Sequence, residues 1–444
     1  MLCYAILHYT TLYRYYTILH YKEQATKAIE DGVNVLIWSF ISIKVVDGDN
    51  DNDKTHGTLN SCRTTATATA TATAATNDNS SENEPKQQHQ EQNQTQKQQC
   101  RLKVEVSQNL ENYKKYRQRL ISMGYDDNGE NAKIKHLVAF GGWNGPHFPS
   151  EFSGSELYDA FKAVNVQSTT TPSSSGGDGH GNGDNEDSKN ENVNAGKLEL
   201  LWDGIDWDLE GHDQIDHPNN EFTKELLDQI GEFSIRAKND GLIVSMAPPE
   251  SYLDTTSSRF SRFVNLSYPE DAWHQDFLYH SWNVYAYILA KYGDSIDFIF
   301  LQFYESYSHA LYQTEMMGLS QSEFLIQYIE RLAKNGFVYT VNFEDDPTVN
   351  LKNQPVKVPL SKIVFGFANG WAADLKKAIL FAPSQVKSAY DHLVTMNLAP
   401  RGFGYWVVEE EGKNGIFLTK ELKAILNGSE TATVGGDNDI ISSK

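Results

Sequence analysis

Two rhythms of apolar and polar positions alternate along this chain. Short runs such as Asn34–Ile43, His136–Phe140 and Ile296–Tyr304 are apolar almost throughout, the pattern of strands buried on both faces. Between them lie segments with apolar residues three and four apart, the spacing of one helix face. The clearest is Phe222, Leu226, Ile230, Phe233 and Ala237, stopped by Gly241. Taken in order, the pattern predicts a helix at residues 23–32, a strand over Asn34–Ile43, and a helix from Leu110 to Met123. A strand over His136–Phe140 runs into Gly141-Gly142-Trp143, and a helix carries Leu157, Phe161 and Val164. After a strand within residues 201–211 and the helix at 222–237 come strand Leu242–Met246, helix Tyr285–Tyr292 and strand Ile296–Tyr304. Helix Gln321–Ala333, strand Lys362–Phe367, helix Gln385–Met396, strand Gly402–Val407 and helix Leu418–Leu426 complete the series.

Strands that alternate with helices predict an α/β fold with a parallel sheet. Seven such units in about 340 ordered residues favour a closed (β/α)8 TIM barrel over an open sheet. An eighth strand should precede the helix at 23–32. Tyr4–Tyr9 is the only candidate, so residues 1–22 stand as an N-terminal segment whose role as strand one is open. The barrel then spans residues 23–427, and residues 428–444 form a polar tail. Two stretches break the rhythm. Residues 46–100 pass from Asp/Asn through an Ala-Thr repeat to Gln-rich sequence, and residues 167–196 are rich in Ser, Gly, Asp and Asn. Neither holds enough apolar surface to offset its chain entropy, so both are expected to be disordered insertions.

The formal net charge is −21. That balance argues against nucleic acid as a partner. The three cysteines, Cys3, Cys62 and Cys100, show no metal-ligand spacing. A Cys62–Cys100 bridge and a pair of free thiols both stay open, and with them the redox compartment. The first 21 residues lack the basic start and unbroken apolar core of a signal peptide. No run reaches the length of a membrane span.

One stretch carries chemistry. Asp203-Gly204-Ile205-Asp206-Trp207-Asp208-Leu209-Glu210 places four acids among large apolar groups. On a strand, Asp206, Asp208 and Glu210 share one face while Ile205, Trp207 and Leu209 take the other. Three carboxyls on one face of a buried strand are costly unless they share protons or meet a substrate. Asp203 breaks the alternation and reads as structural. In a barrel, function gathers at the C-terminal ends of strands. Those ends offer Gly141, Gly142, Trp143, Met246, Gln302, Tyr304 and Trp406 beside the acids. Aromatic faces next to hydrogen-bonding groups suit sugar rings. His212, Asp213, Asp216 and His217 fall in a polar loop and read as solvated rather than metal-binding.

The acidic stretch resembles the D-G-x-D-x-D-x-E signature of glycoside hydrolase family 18, the chitinases and endo-β-N-acetylglucosaminidases. Ala139-Phe140-Gly141-Gly142 is similar to the family's S-x-G-G, Met246-Ala247-Pro248 to its strand-five motif, Gln302-Phe303-Tyr304 to its Q-x-Y, and Trp406 to its strand-eight tryptophan. The resemblance covers residues 34–427 apart from the insertions. It implies a retaining, substrate-assisted hydrolase of β-1,4-linked N-acetylglucosamine, in which the sugar's own 2-acetamido group is the nucleophile. Glu210 would be the acid and Asp208 would orient the acetamido group. Asp206 would share charge with Asp208, and Tyr304 would bond the acetamido carbonyl. Gln302, Trp406, Met246, Gly141, Gly142 and Trp143 would contact the sugar. No cofactor and no metal are implied. The implied partner is chitin or a chitooligosaccharide, bound by a monomer outside the cell. An endo-β-N-acetylglucosaminidase acting on N-glycans and a sugar-binding lectin without turnover are the alternatives; the second typically lacks the terminal Glu, which is present here. Two departures stand out: Ala139 replaces the usual Ser, and Glu305 follows Tyr304 where Asn or Asp is usual.

Overall fold

The structure is a computed structural model, and it describes residues 2–7, 17–46, 101–106, 110–125, 134–168, 198–264, 282–305, 308–374 and 378–434. The chain divides into two compact units, residues 1–43 with 104–444, and residues 44–103. Nearly all of the expected insertion at 46–100, with Cys62 and Cys100, lies outside the described residues, as does most of the stretch at 167–196.

Among the described residues, nine strands form one mostly parallel sheet. Eight of them carry the architecture: β1 (Leu2–Leu7), β2 (Val35–Val46), β3 (Lys135–Gly142), β4 (Gly204–Leu209), β5 (Ile243–Met246), β6 (Phe298–Gln302), β7 (Ile363–Ala368) and β8 (Gly402–Trp406). Each of β2 to β8 pairs in parallel with its neighbour in chain order. The strand left open at the N-terminus is β1, two residues earlier than expected. It pairs in parallel with β8 from Leu2↔Gly402 to Ile6↔Trp406, and with β2 from Tyr4↔Val35 to Leu7↔Trp38.

Helices separate the strands: α1 (Thr17–Glu30), α2 (Leu110–Ser122), α3 (Gly154–Asn165), α4 (Lys224–Asn239), α5 (Val284–Tyr292), α6 (Gln321–Lys334), α7 (Pro383–Thr395) and α8 (Leu418–Val434). Their starts are chemically specified. Ser153 with Glu156 and Ser320 with Glu323 form capping boxes on α3 and α6, and the Thr223 hydroxyl accepts from the N–H of Leu226 on α4. The apolar stripe of α4 buries Leu226, Leu227, Ile230, Phe233 and Ala237. It meets the outward face of the sheet, where Trp207 lies with ring centroids 5.1 Å from both Phe140 and Phe233. Trp207 therefore anchors the strand from behind while the acids face the other way.

Three features depart from the sequence reading. An antiparallel hairpin, Val338–Val341 with Gln354–Lys357, fills the stretch between α6 and β7 where no element was expected. Its strands are four residues long, too short to show a period. Residues 166–168 pair antiparallel with 198–200, so the second insertion begins and ends on a small two-stranded ribbon. Helix α8 continues to Val434, seven residues into the expected polar tail. Among the described residues, no helix is long and apolar enough to cross a membrane.

Asp203 has the structural role its spacing suggested. Its Oδ1 accepts from Arg117 of α2 at 3.0 Å and its Oδ2 from the backbone N–H of His136 at 2.8 Å. Arg117 also donates to the carbonyl of Leu201, so α2, the start of β3 and the entry to β4 are tied together. Replacing Asp203 with Ala leaves a half-buried guanidinium and a backbone donor without their acceptor. The expected loss is about 2 kcal/mol of stability, read by urea or thermal unfolding, with no change in the pH dependence of whatever activity the site supports.

Candidate active site

Side chains from β5 and β6 reach the acids of β4: Ser245 bonds Asp206 and Gln302 bonds Asp208. Asp206, Asp208 and Glu210 are all buried, at 0, 4 and 7 % exposure. Alternation along β4 brings them to one side, as expected. The backbone of β3 must pass close to this side. Gly141 has φ +108°, and a Cβ there would lie 2.5 Å from the carbonyl oxygen of Asp208. Gly142, at φ +81°, leaves room for the Phe40 ring. No larger residue fits either place.

Each acid has a different set of neighbours. Asp206 pairs in register with Ala139 on one side and Ser245 on the other. Its Oδ1 accepts from the Ser245 hydroxyl. The hydroxyl that Ala139 lacks is thus supplied from β5. Burial pushes the Asp206 carboxyl up to about 7, and the Ser245 bond only partly offsets it. Asp208 Oδ1 accepts from Gln302 Nε2 at 2.8 Å, and the same amide donates to the carbonyl of Ala247 at 2.6 Å. Burial, then the charges of Glu210 and Asp206, hold Asp208 well above the usual carboxylate range. Glu210 is raised in the same way, by burial and by the charge of Glu305. Glu305 is itself half-buried and pushed up to about 7 by that burial. The departure noted after Tyr304 therefore acts electrostatically on the terminal acid.

The aromatic residues expected at the site have these neighbours. Tyr304 is buried, with Trp371 edge-on at 5.9 Å. The Trp371 indole N–H donates to the carbonyl of Trp406 at 2.6 Å, and Trp406 is half-exposed with its ring stacked on Phe40 at 6.1 Å. Trp143 is half-exposed at the rim, where its indole N–H donates to Asp213 at 2.8 Å. Asp213 also accepts from Asn144, and these two bonds hold its carboxyl below the usual range.

Two residues expected to contact the sugar have defined surroundings. Gln302 commits its amide to Asp208 and Ala247, and Met246 is fully buried. Sequence reasoning missed Ser245 and Trp371. Ser245 carried a faint signal, a lone hydroxyl in the apolar strand Ile243–Met246; Trp371 carried none. Among the described residues no cluster of three or more His, Cys, Asp or Glu is arranged to hold a metal. In the polar loop after Glu210, the rings of His212 and His217 stack face to face at 3.7 Å.

No family model matches the sequence, and no curated protein matches it. Solved structures do. A GH18 chitinase from Pseudoalteromonas aurantia is 11% identical, over 96% of this chain and 99% of that one, with a TM-score of 0.41. A fungal endo-beta-N-acetylglucosaminidase from glycosyl hydrolase family 18 is 15% identical, over 71% and 75%, at 0.35. The Ostrinia furnacalis Group IV chitinase in complex with allosamidin is 13% identical, over 72% and 84%, at 0.35.

The acids carry a stability signature. Asp206 has a folded value near 7 against 3.8 for the free side chain, so the folded chain binds more protons than the unfolded one between those values. Stability from this group is then full below about pH 4 and is lost as pH rises through 7. Asp206→Asn should remove the loss, on the order of 4 kcal/mol at most. The variant should be more stable than the parent at pH 8 and little different at pH 4, by urea unfolding at the two values. An equal effect at both would show that Asp206 does not take up a proton on folding.

Proposed function

We propose that this chain is a glycoside hydrolase built on a closed (β/α)8 barrel, cutting β-1,4-linked N-acetylglucosamine by a retaining, substrate-assisted mechanism. The observation that carries the reading is the trio at the end of β4: three buried carboxyls on one face, with Glu210 furthest toward the strand end and raised toward its acid form. The resemblance of Asp203–Glu210 to the family 18 signature supports the same assignment.

The chemistry follows from the neighbours of each group. Glu210 gives its proton to the glycosidic oxygen as the bond from that oxygen to the anomeric carbon breaks. The carbonyl oxygen of the 2-acetamido group bonds to the anomeric carbon and forms an oxazolinium ion. Because this nucleophile is already tethered to the sugar, much of the entropic barrier is removed. Asp208, oriented by Gln302, accepts from the acetamido N–H and offsets the positive charge. Tyr304 donates to the acetamido carbonyl, and Trp406 lies under the ring. Asp206 shares a proton with Asp208, so the three acids titrate as a set. Water then bonds to the anomeric carbon as the bond from that carbon to the acetamido oxygen breaks, and the Glu210 carboxylate takes a proton from that water.

The sign of the pH dependence follows. Glu210 must be protonated to act, so turnover falls as pH rises through its raised value. Glu305→Gln removes the negative charge facing it, which eases ionisation, and the alkaline limb should move to lower pH in a kcat profile. Glu210→Gln should lower kcat on a chitooligosaccharide by about a thousandfold or more with KM little changed. A glucose oligomer without the acetamido group should not be cut. Equal turnover of that oligomer would rule out substrate assistance, and equal activity of Glu210→Gln would rule out the enzyme reading.

A further inference from the structure

Glu210 lies one residue beyond the ladder of its own strand. Pairing of β4 with β3 ends at Leu209, opposite Gly142, and pairing with β5 ends at Trp207, opposite Met246. Beyond that point one backbone bond, from the N–H of Asn144 to the carbonyl of Gly211 at 3.0 Å, continues the tie to β3. Three side chains from elsewhere hold the peptides on either side of Glu210. The Tyr285 hydroxyl, on α5, donates to the carbonyl of Leu209 at 3.0 Å, which pins the peptide entering Glu210. The Tyr252 hydroxyl, in the loop after β5, accepts from the N–H of Gly211 at 3.1 Å. His147 Nε2, in the loop after β3, lies 3.2 Å from the carbonyl of Glu210 and donates to it, since a carbonyl only accepts. These two pin the peptide leaving Glu210.

Peptide groups are planar, so two pinned peptides meeting at one Cα fix the direction in which its side chain departs. Both tyrosines are fully buried. Phe222 packs among all three, with ring centroids 4.9 Å from His147, 5.7 Å from Tyr252 and 6.3 Å from Tyr285. Its own backbone N–H donates to the carbonyl of Arg262, a buried guanidinium anchored by Glu221 and Asp346. The rings account for the packing, and phenylalanine would fill the same space. The hydroxyls account only for the hold on the peptides.

We infer that Tyr285, Tyr252 and His147 are positioning residues that aim Glu210 by clamping the peptides on either side of it. The inference rests on the reading of Glu210 as the proton donor. None of the three needs to touch the sugar. A donor displaced by about 1 Å loses on the order of a hundredfold in rate, and the hold on the two peptides adds to the bonds that the Glu210 carboxyl makes with Asp208 and Gln302.

The test is the pair Tyr285→Phe and Tyr252→Phe, singly and together, on two substrates. One is a chitooligosaccharide, whose leaving alkoxide needs the proton. The other is the dinitrophenyl glycoside of the same sugar, whose leaving group departs without it. The double variant should lose about 10- to 100-fold in kcat on the first, with KM within about twofold and little loss on the second. Equal losses on both, or none on the first, overturn the clamp. A second readout does not need turnover. In protein labelled with 13C at glutamate, Glu210 is identified by difference against Glu210→Gln and its carboxyl titrated. The double variant should move its midpoint toward the ordinary glutamate value, because the freed carboxyl reaches water. An unmoved midpoint overturns the clamp whether or not either substrate is cut. A moved midpoint in a protein that cuts neither substrate keeps the clamp and removes the hydrolase reading.

Discussion

Burying Asp206, Asp208 and Glu210 side by side is the constraint around which the molecule is arranged. Each carboxylate removed from water loses hydration worth several kcal/mol, and like charges at this range repel strongly in a low dielectric. The chain meets the constraint by holding protons on the acids and by giving them few, fixed partners. Ser245 and Gln302 each supply one directed hydrogen bond. Glu305 adds a further like charge, and so biases Glu210 toward the protonated form that a proton donor requires.

Those demands shape the surrounding backbone. Gly141 lets β3 pass against the carbonyl of Asp208, where any side chain would collide. Trp207, on the opposite face of the same strand, is locked among Phe140, Phe148 and Phe233, so the strand cannot rotate to release its acids. Rigid packing on one face thus sustains costly electrostatics on the other. Past the strand end, side chains from the β3–β4 and β5–β6 connections add to the hold on Glu210.

Much of this was legible in the residues. The apolar runs located seven strands to within a few positions, because a strand buried on both faces leaves an unbroken apolar signature. The helices were marked by their stripes and by stops such as Gly241. The division of labour between Asp203 and the other three acids followed from the two-residue period alone. What escaped had weak local signals. Leu2–Leu7 is short and lies among tyrosines, and it gains its place by pairing with β8 and β2. The hairpin at Val338–Lys357 has strands of four residues. Helix α8 runs past Gly428 into Ser- and Thr-containing sequence that propensity disfavours.

The sequence by itself determined which groups are acidic, which face they share, and the order in which strands bring them together, because period and burial are local properties of a chain. It could not determine partners. Gln302 lies 94 residues from Asp208, Ser245 lies 39 from Asp206, and Tyr252 and Tyr285 lie 41 and 76 from the peptides they hold. Tertiary structure gave Gln302 a bond to Asp208, and made Ser245 the hydroxyl that Ala139 does not provide. The physical reason is reach. A hydrogen bond spans about 3 Å, and only the folded sheet decides which distant residues fall within that distance of a carboxyl group.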